Sequence, residues 1–289
     1  MSEIELAFIG GSGVYGMSEL TDVESVSVTT PFGMPSDDIV IGTLHGRRVA
    51  FLPRHGRGHV LTPTEVPYRA NMYALKLLGV RYVISISACG SLRESIAPGD
   101  IVIPDQLIDF TKGLRDRSFF GDGLVAHVSV AQPFSPELSR ALADAVSAAG
   151  ATPHEGGSFI TVEGPRFSTR GESELFRTWD MDIIGMTTSP EAFLAAEAEM
   201  AYACLAHVTD YDVWHESEEP VTVEMVIRTL SHNRDVAHQT ISALVQSMDQ
   251  WEGDFPAHHA LENALITDPA YIPEQAKVDR EAISGRYLD

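Results

Sequence analysis

Residues 201–208 form an almost wholly apolar run, and two aspartates, Asp210 and Asp212, follow it closely. A run of this length and composition is typical of a strand that is buried on both faces, as in parallel sheets covered by helices. Open α/β sheets bind their ligands at the carboxyl ends of such strands. Acids at i and i+2 of an extended chain project from the same face, so this pair is predicted to line a ligand crevice. Taken alone, the pattern is more typical of a solvated turn that ends a strand.

Strand-like apolar runs alternate with segments of helical spacing along the rest of the chain. We predict strands at residues 5–9, 23–29, 38–42, 49–52, 82–86, 100–103, 158–162, 182–185 and 201–208. We predict helices at residues 69–78, 136–149, 171–178, 190–200, 222–230, 235–250 and 256–265. This alternation favours one α/β domain over residues 1–265, with a mixed, largely parallel central sheet flanked by helices. Residues 266–289 are polar and contain proline, which predicts a loose C-terminal tail.

The charge of the chain argues against polyanionic partners. Its 20 lysines and arginines stand against 41 aspartates and glutamates, which gives a net charge of −21. Nucleic acids and anionic membrane surfaces would be repelled by such a surface. An anionic substrate would need a pocket of locally positive charge, and the segment 53–59, with Arg54, His55 and Arg57, is predicted to supply it.

Cysteine usage and hydropathy predict a cytoplasmic protein. Cys89 and Cys204 are the only cysteines, and both lie in strand-like apolar contexts, which is typical of free buried thiols in a reducing compartment. The sequence shows no basic-then-apolar leader. It also shows no apolar stretch of about 18 residues, so no membrane span is predicted.

Small, hydroxyl-bearing and basic residues recur at the ends of the predicted strands. They lie in the segments Gly10-Gly-Ser-Gly13, 53–59, Ser87-Ala-Cys-Gly-Ser91, 161–167 and Gly185-Met-Thr-Thr-Ser189. Glycines and hydroxyls at strand ends suit anion and sugar binding. Together these segments predict one site that the strand ends of a single sheet surround.

Each segment also has a plainer interpretation when it is taken alone. The turn at residues 10–13 is equally typical of a tight structural turn, and it lacks both the third glycine of a dinucleotide fingerprint and the lysine of a P-loop. His55 and His59 are possible metal ligands, but no third ligand has tight spacing. Cys89 is better explained by packing than by nucleophilic chemistry. For Phe167, ordinary core packing and stacking on a planar ring are equally open.

Seven segments, taken together and in order, resemble the trimeric purine nucleoside phosphorylase family and, within it, the methylthioadenosine phosphorylases. They are Ile9-Gly-Gly-Ser-Gly13, Arg54-His-Gly-Arg57, Ser87-Ala-Cys-Gly-Ser-Leu-Arg93, Pro98-Gly-Asp-Ile-Val102, Glu163-Gly-Pro-Arg-Phe-Ser168, Gly185-Met-Thr-Thr188 and Thr209-Asp-Tyr-Asp-Val-Trp214. They span roughly residues 4–250, and their joint occurrence is far more specific than any one of them. The resemblance does not extend to the residues after Trp251.

The resemblance implies which side chains would bind substrates. Inorganic phosphate would be the co-substrate, and the resemblance implies no cofactor or metal. The residues expected to bind the phosphate are Ser12, Arg54, His55, Ser87, Ala88 and Thr187. Those expected to contact the nucleoside are Phe167, Met186, Val223, Val226 and, from a neighbouring subunit, His127. Gly185 departs from the family, which often has asparagine there, so a side-chain contact at that position is not expected. The family also implies a homo-oligomer, either a trimer or a hexamer.

The activity that the resemblance implies is that of a pentosyltransferase in purine and methionine salvage. Phosphate would cleave the N-glycosidic bond of 5′-methylthioadenosine and release adenine and 5-methylthioribose-1-phosphate. Asp210 is expected to act as the acid, and Asp212 to accept from the 6-amino group or to orient Asp210. The nearest alternative is a 6-oxopurine nucleoside phosphorylase, although two acids beside the base favour an amino group. A non-catalytic nucleoside sensor and a dinucleotide-binding oxidoreductase are the alternatives from other classes.

Overall fold

The computed structural model of the chain describes residues 4–11, 16–215, 223–251 and 253–288, with backbone only at residues 223 and 225–233. The strands are β1 Leu6–Gly10, β2 Thr21–Val26, β3 Ile39–Leu44, β4 Arg47–Pro53, β5 Tyr82–Ser91, β6 Ile101–Ile103, β7 Gln106–Phe110, β8 Pro153–Glu155, β9 Ser158–Val162, β10 Ile183–Gly185 and β11 Ala201–Asp210. The helices are α1 Tyr68–Leu77, α2 Pro136–Ala148, α3 Arg170–Thr178, α4 Thr188–Glu197, α5 Val223–Ser247, α6 Glu274–Asp279 and α7 Glu281–Ser284.

All of these strands join one mixed, largely parallel sheet, which confirms the predicted fold class. Its main path runs β2-β3-β4-β1-β5-β10-β9-β7, and β11 pairs with both β5 and β6. The centre is parallel, because β1 pairs with β4 and β5, and β5 pairs with β11 over most of its length. The carboxyl ends of β4, β1, β5 and β11 therefore lie along the same edge of the sheet.

Helices cover both faces of the sheet, which explains why its central strands are buried and mostly built from apolar and small residues. Every residue of β11 is buried, as the run at residues 201–208 predicted. Side chains of α1 and α4 pack into the core on one face. Side chains of α2 and α5 pack into the core on the other.

Several element boundaries differ from the sequence-based predictions. Strand β5 continues to Ser91 rather than ending at residue 86, because its last residues pair with β10. The helices predicted at 222–230 and 235–250 are one helix, α5, since the residues between them include neither glycine nor proline. Strands β7 and β8 were not predicted, because β8 is only three residues long and β7 has a single buried residue, Leu107, with Gln106 and Ile108 exposed.

The C-terminal segment is packed on the domain, so the prediction of a loose tail was wrong. Arg280 is almost fully buried, and its guanidinium donates to the Phe119 carbonyl at 2.6 Å and to Asp122 at 3.1 Å. Ile283 is buried in the same core as α1. The polar composition misled the prediction because its charged residues pair with the body of the protein, as Arg286 does with Glu199. No helix in the described ranges is long and apolar enough to cross a bilayer.

Candidate active site

Asp210 and Asp212 lie together at the carboxyl end of β11, and both are buried, with 6% and 7% of their surfaces exposed. The solvated-turn interpretation is therefore wrong. The prediction that the two acids lie on one face of an extended chain is also wrong, because Asp212 is outside the strand and has a left-handed φ of 52°. A turn brings them together, and the Asp212 amide donates to Oδ1 of Asp210 at 2.8 Å.

Burial raises the pKa of both carboxyl groups. It raises the pKa of Asp210, and it raises the pKa of Asp212 to about 6, with a further contribution from the charge of Asp210. The hydroxyls of Ser173 and Ser168 oppose the rise at Asp212. Among the described residues, neither hydroxyl nor Oδ2 of Asp212 forms a hydrogen bond of good geometry, although both hydroxyls lie near that carboxylate. A carboxyl group whose pKa is raised by burial holds its proton to higher pH, which suits it to act as an acid.

Thr209 gives Asp210 a partner in either protonation state. Its hydroxyl oxygen lies 2.6 Å from Oδ2 of Asp210 and 3.2 Å from the carbonyl oxygen of Cys89. A hydroxyl has one hydrogen to donate. When Asp210 is ionised, Thr209 donates to it; when Asp210 is protonated, Asp210 donates to Thr209, which in turn donates to Cys89. Loss of the proton from Asp210 thus leaves the carboxylate with a donor.

Helix α3 and the turn after β11 are held against each other. Trp214 donates from its indole nitrogen to the Ser91 carbonyl at 2.8 Å, and the Arg177 guanidinium lies 3.4 Å from the centre of its ring. Arg177 and Ser173 are four residues apart on α3, so they share a face. That face therefore fixes the turn that carries Asp212 and also supplies the hydroxyl beside its carboxylate.

Arg54 follows β4 and is buried with its guanidinium already paired to a carboxylate. Nε and Nη2 donate to the two oxygens of Glu191 at 2.8 and 2.9 Å, which is the bidentate geometry that also suits phosphate. Burial lowers the pKa of Arg54, but the Glu191 carboxylate outweighs this effect and the pKa is raised. Nη1 has one acceptor among the described residues, the Ile86 carbonyl at 3.2 Å. A further anion would thus meet the Nη1 edge.

The predicted local excess of positive charge is not found. Glu191 neutralises Arg54, and Arg57 forms an ion pair with Asp37 at 3.4 Å. Burial, with the neighbouring charge of Arg54, lowers the pKa of His55 to about 4, so its imidazole is neutral at pH 7. The pocket must therefore bind an anion through hydrogen-bond donors rather than through net charge.

Hydroxyl groups lie close to this Arg54–Glu191 ion pair, which has no net charge. Ser85 accepts from Arg54 at 2.7 Å and lies 3.2 Å from the hydroxyl of Ser87. Helix α4 carries Glu191 and has Thr187 at its N-cap, where no side-chain capping bond forms. The hydroxyls of Thr188 and Ser189 are buried without a partner among the described residues. Free donors at a helix N-terminus are suited to anion binding.

The remaining predicted residues are placed as follows. Phe167 is 37% exposed, and Met186 is half-buried in the segment that links β10 to α4. Ala88 is half-buried on β5 and pairs with His207 of β11. His127 is exposed. Ser12 lies outside the described residues, and Val223 and Val226 lie on α5 with side chains outside the described part.

The structure also gives a physical reason for two glycines of these segments, and it identifies two charged residues that the sequence did not single out for this site. A Cβ at Gly90 would stand 2.9 Å from Oδ1 of Asp210, so the glycine leaves room for the acid pair. A Cβ at Gly185 would stand 2.6 Å from the ring of Phe159, which occupies the space of a side chain at that position. Glu191 and Arg115 are buried ion-pair partners of Arg54 and Glu163. A glycine at a strand end is only a weak indication of a functional site. Glu191 and Arg115 could not be recognised from the sequence, because their ion-pair partners are distant in sequence.

Both cysteines are free and buried, as predicted. Burial raises the pKa of the Cys89 thiol well above its usual value, which disfavours the nucleophilic thiolate. His55 and His59 stack with ring centres 4.3 Å apart. No group of three metal-ligating side chains occurs in the part of the chain that the structure describes.

The family model of the phosphorylase superfamily matches residues 5–246. Curated relatives named S-methyl-5′-thioadenosine phosphorylase include one from Chloroflexus aurantiacus, 54% identical over 99% of both chains. One from Geobacter sulfurreducens is 51% identical over 98% of this chain and 99% of its own.

Solved structures named methylthioadenosine phosphorylase are also similar to this chain over almost its full length. A methylthioadenosine phosphorylase from an antarctic soil metagenomic library is 50% identical, with a TM-score of 0.93 over 98% of this chain and 99% of its own. The methylthioadenosine phosphorylase from Schistosoma mansoni, in complex with adenine, is 32% identical, with a TM-score of 0.82 over 98% of both chains.

Proposed function

Since the chain belongs to the phosphorylase superfamily, we propose that it uses inorganic phosphate to cleave the N-glycosidic bond of 5′-methylthioadenosine. The products are adenine and 5-methylthioribose-1-phosphate, so the enzyme is a pentosyltransferase of purine and methionine salvage. Full-length identities of about half to relatives named for this activity support the substrate. In the site, the feature that carries the proposal is the buried acid pair Asp210 and Asp212 at the end of β11.

The acid pair explains how the purine leaves. Breaking the glycosidic bond puts electrons on the base, and protonation at N7 makes it a better leaving group. We assign this proton to Asp210, because burial raises the pKa of its carboxyl group and the carboxylate left after transfer accepts from Thr209. Asp212 accepts from the 6-amino group, because its Oδ2 lacks a partner among the described residues.

Phosphate attack completes the reaction at the other end of the crevice. The sugar acquires oxocarbenium character as the C1′–N9 bond breaks, and a phosphate oxygen then bonds to C1′. We propose that Nη1 of Arg54, His55, Ser87, Thr187, the Ala88 backbone and Ser12 hold the phosphate. The neutral Arg54–Glu191 pair and the unpartnered hydroxyls at the start of α4 support this assignment. Phosphate is a co-substrate in the proposed reaction, and no cofactor takes part in it.

The nucleoside contacts belong to the same proposal. Phe167 flanks the purine, Met186 lies under the ribose, and Val223 and Val226 line the pocket for the methylthio group. The exposure of Phe167 in a single chain leaves its ring available for stacking.

One assay tests the activity directly. Release of base from 5′-methylthioadenosine, adenosine and inosine is measured side by side, with and without phosphate. We expect rapid phosphate-dependent release from methylthioadenosine and little from inosine. Preferential cleavage of inosine would instead support a 6-oxopurine nucleoside phosphorylase, and release that is independent of phosphate would contradict phosphorolysis.

We also propose that His127 completes the site of a neighbouring subunit in a cytoplasmic homotrimer or hexamer. Its side chain is exposed, and no hydrogen bond or ion pair among the described residues joins it to the acid pair of its own chain. Mixing inactive His127→Ala and Asp210→Asn chains under exchange conditions tests this arrangement. Mixed oligomers should regain activity because some sites then contain both native residues, whereas no gain would contradict a shared site.

A further inference from the structure

Arg115 lies in the loop after β7, and its side chain is completely buried. Nε donates to Oε1 of Glu163 at 2.9 Å, and Nη2 donates to the Glu163 carbonyl at 2.6 Å. Nη1 donates at 2.7 Å to the carbonyls of Met186 and Ser189. The buried guanidinium is thus satisfied by acceptors from other segments, and it holds the loop after β7 against them.

These acceptors belong to two segments that flank the proposed nucleoside pocket. Glu163 is the first residue after β9, and Phe167 follows four residues later in the same segment. Met186 and Ser189 lie on either side of Thr187 in the sequence, so Arg115 binds this segment both before and after a residue proposed to bind phosphate. The segments touch directly, because a Cβ at Gly164 would stand 2.6 Å from the sulfur of Met186.

Glu163 anchors the same cluster from the other side. Its carboxylate accepts from the Thr64 hydroxyl at 2.6 Å, from the Lys112 amide at 2.6 Å and from Arg115. Burial acts to raise the pKa of Glu163, but these hydrogen bonds together hold it below its usual range. The ion pair is therefore fully formed at neutral pH, and it connects the loop, the segment after β9 and the start of α4.

We propose that Arg115 is a positioning residue that aligns the ribose over Met186 with the phosphate at Thr187. This inference rests on the proposed function. A planar guanidinium suits the task because its donors point in fixed directions toward three backbone carbonyls and one carboxylate. A lysine has its donors on one nitrogen and cannot span these acceptors. Loss of Arg115 should let the two segments move independently while the acid pair on β11 stays in place.

The variants Arg115→Lys and Arg115→Ala test the proposal, with Arg117→Ala as a matched control. Arg117 lies two residues along the same loop, is exposed, and donates to the Thr111 hydroxyl at 2.8 Å. For both Arg115 variants we expect kcat to fall about 100-fold, because misplacement by about 1 Å has that effect on aligned reactants. KM for either substrate should change by less than about threefold, since each is still bound by its own contacts. The control should match the wild type.

Added guanidinium chloride separates positioning from general destabilisation. At concentrations that leave the wild type folded, guanidinium should restore part of kcat in Arg115→Ala with saturation, and should not affect Arg115→Lys, where the ammonium fills the site. If Arg115→Ala does not fold, Arg115→Lys decides, with folding checked by circular dichroism.

Three outcomes would overturn the inference. They are a wild-type kcat in Arg115→Lys, a rise in one KM at constant kcat, or a fall in kcat that only follows loss of folded protein. Failure of the proposed function itself would be seen earlier, because the wild-type chain would then show no phosphate-dependent cleavage of methylthioadenosine.

Discussion

Gly90 and Asp210 are in direct contact across neighbouring strands, with Oδ1 of Asp210 2.9 Å from the place that a Cβ at position 90 would occupy. The same Cβ would stand 3.3 Å from Cβ of Asp212 and 3.2 Å from Ile184. Since the nearest atom is the end of a side chain, a methyl group there would displace the carboxylate rather than break the sheet. The absence of a side chain at position 90 thus sets where the acid lies.

Gly90→Ala should therefore reduce activity more than stability. We expect kcat to fall at least about tenfold, because a displaced acid no longer reaches the leaving group, while Tm changes little. Gly171→Ala on α3 is the control, since nothing lies within 4 Å of its Cβ position. Steady-state kinetics and thermal unfolding measure both effects, and wild-type turnover in Gly90→Ala would show that the contact is irrelevant to catalysis.

The two acids should respond differently to removal of their charge. Asp210→Asn should lower kcat by roughly 10² to 10⁴, the usual contribution of a general acid. Asp212→Asn should instead relax the preference for a 6-amino group, because an amide can donate to a 6-oxo group. Turnover of 5′-methylthioadenosine and 5′-methylthioinosine by both variants measures this. Full activity of Asp210→Asn would rule out its role as the acid.

Asp212 should destabilise the fold as pH rises. Burial raises its pKa to about 6, so the unfolded chain releases the proton more readily than the folded one. Its contribution is thus most favourable below about pH 4, the usual pKa of aspartate, and declines as pH rises through about 6. Asp212→Asn should then raise Tm at pH 7.5 and have little effect at pH 4. Equal effects at the two pH values would contradict this reasoning.

Gly185 and Phe159 should behave as a coupled pair. Gly185→Ala places a Cβ 2.6 Å from the Phe159 ring and should destabilise the protein by about 1–3 kcal/mol through overpacking. Phe159→Leu shortens that side chain, so the double variant should be more stable than the sum of the single effects predicts. Denaturant unfolding of the four proteins gives the coupling. Strict additivity would mean that the ring does not restrict position 185.

The parts of the site that the sequence predicted are those encoded locally. The run at residues 201–208 predicted β11, because burial on both faces requires apolar residues on both sides. Asp210 and Asp212 follow that run, so the prediction of β11 also placed them at the edge of the sheet. Their geometry did not, because the left-handed φ of Asp212 that brings them together has no clear signal in an Asp-x-Asp pattern.

The parts that the sequence missed depend on contacts between distant segments. Arg54 and Glu191 are 137 positions apart, and Arg115 and Glu163 are 48 apart. Nothing near Arg54 in sequence indicates that an acid cancels its charge, so segment 53–59 looked like a source of positive potential. Only the arrangement of strands in the sheet brings α4 to β4.

The neutral pair of Arg54 and Glu191 has a consequence for how ionic strength affects the enzyme. In a chain of net charge −21, phosphate is repelled at long range, while a pocket without net charge offers it no compensating long-range attraction. Dissolved salt screens the long-range repulsion but hardly weakens short hydrogen bonds at a buried site. We therefore expect capture of phosphate to become faster, not slower, as a chloride salt is added.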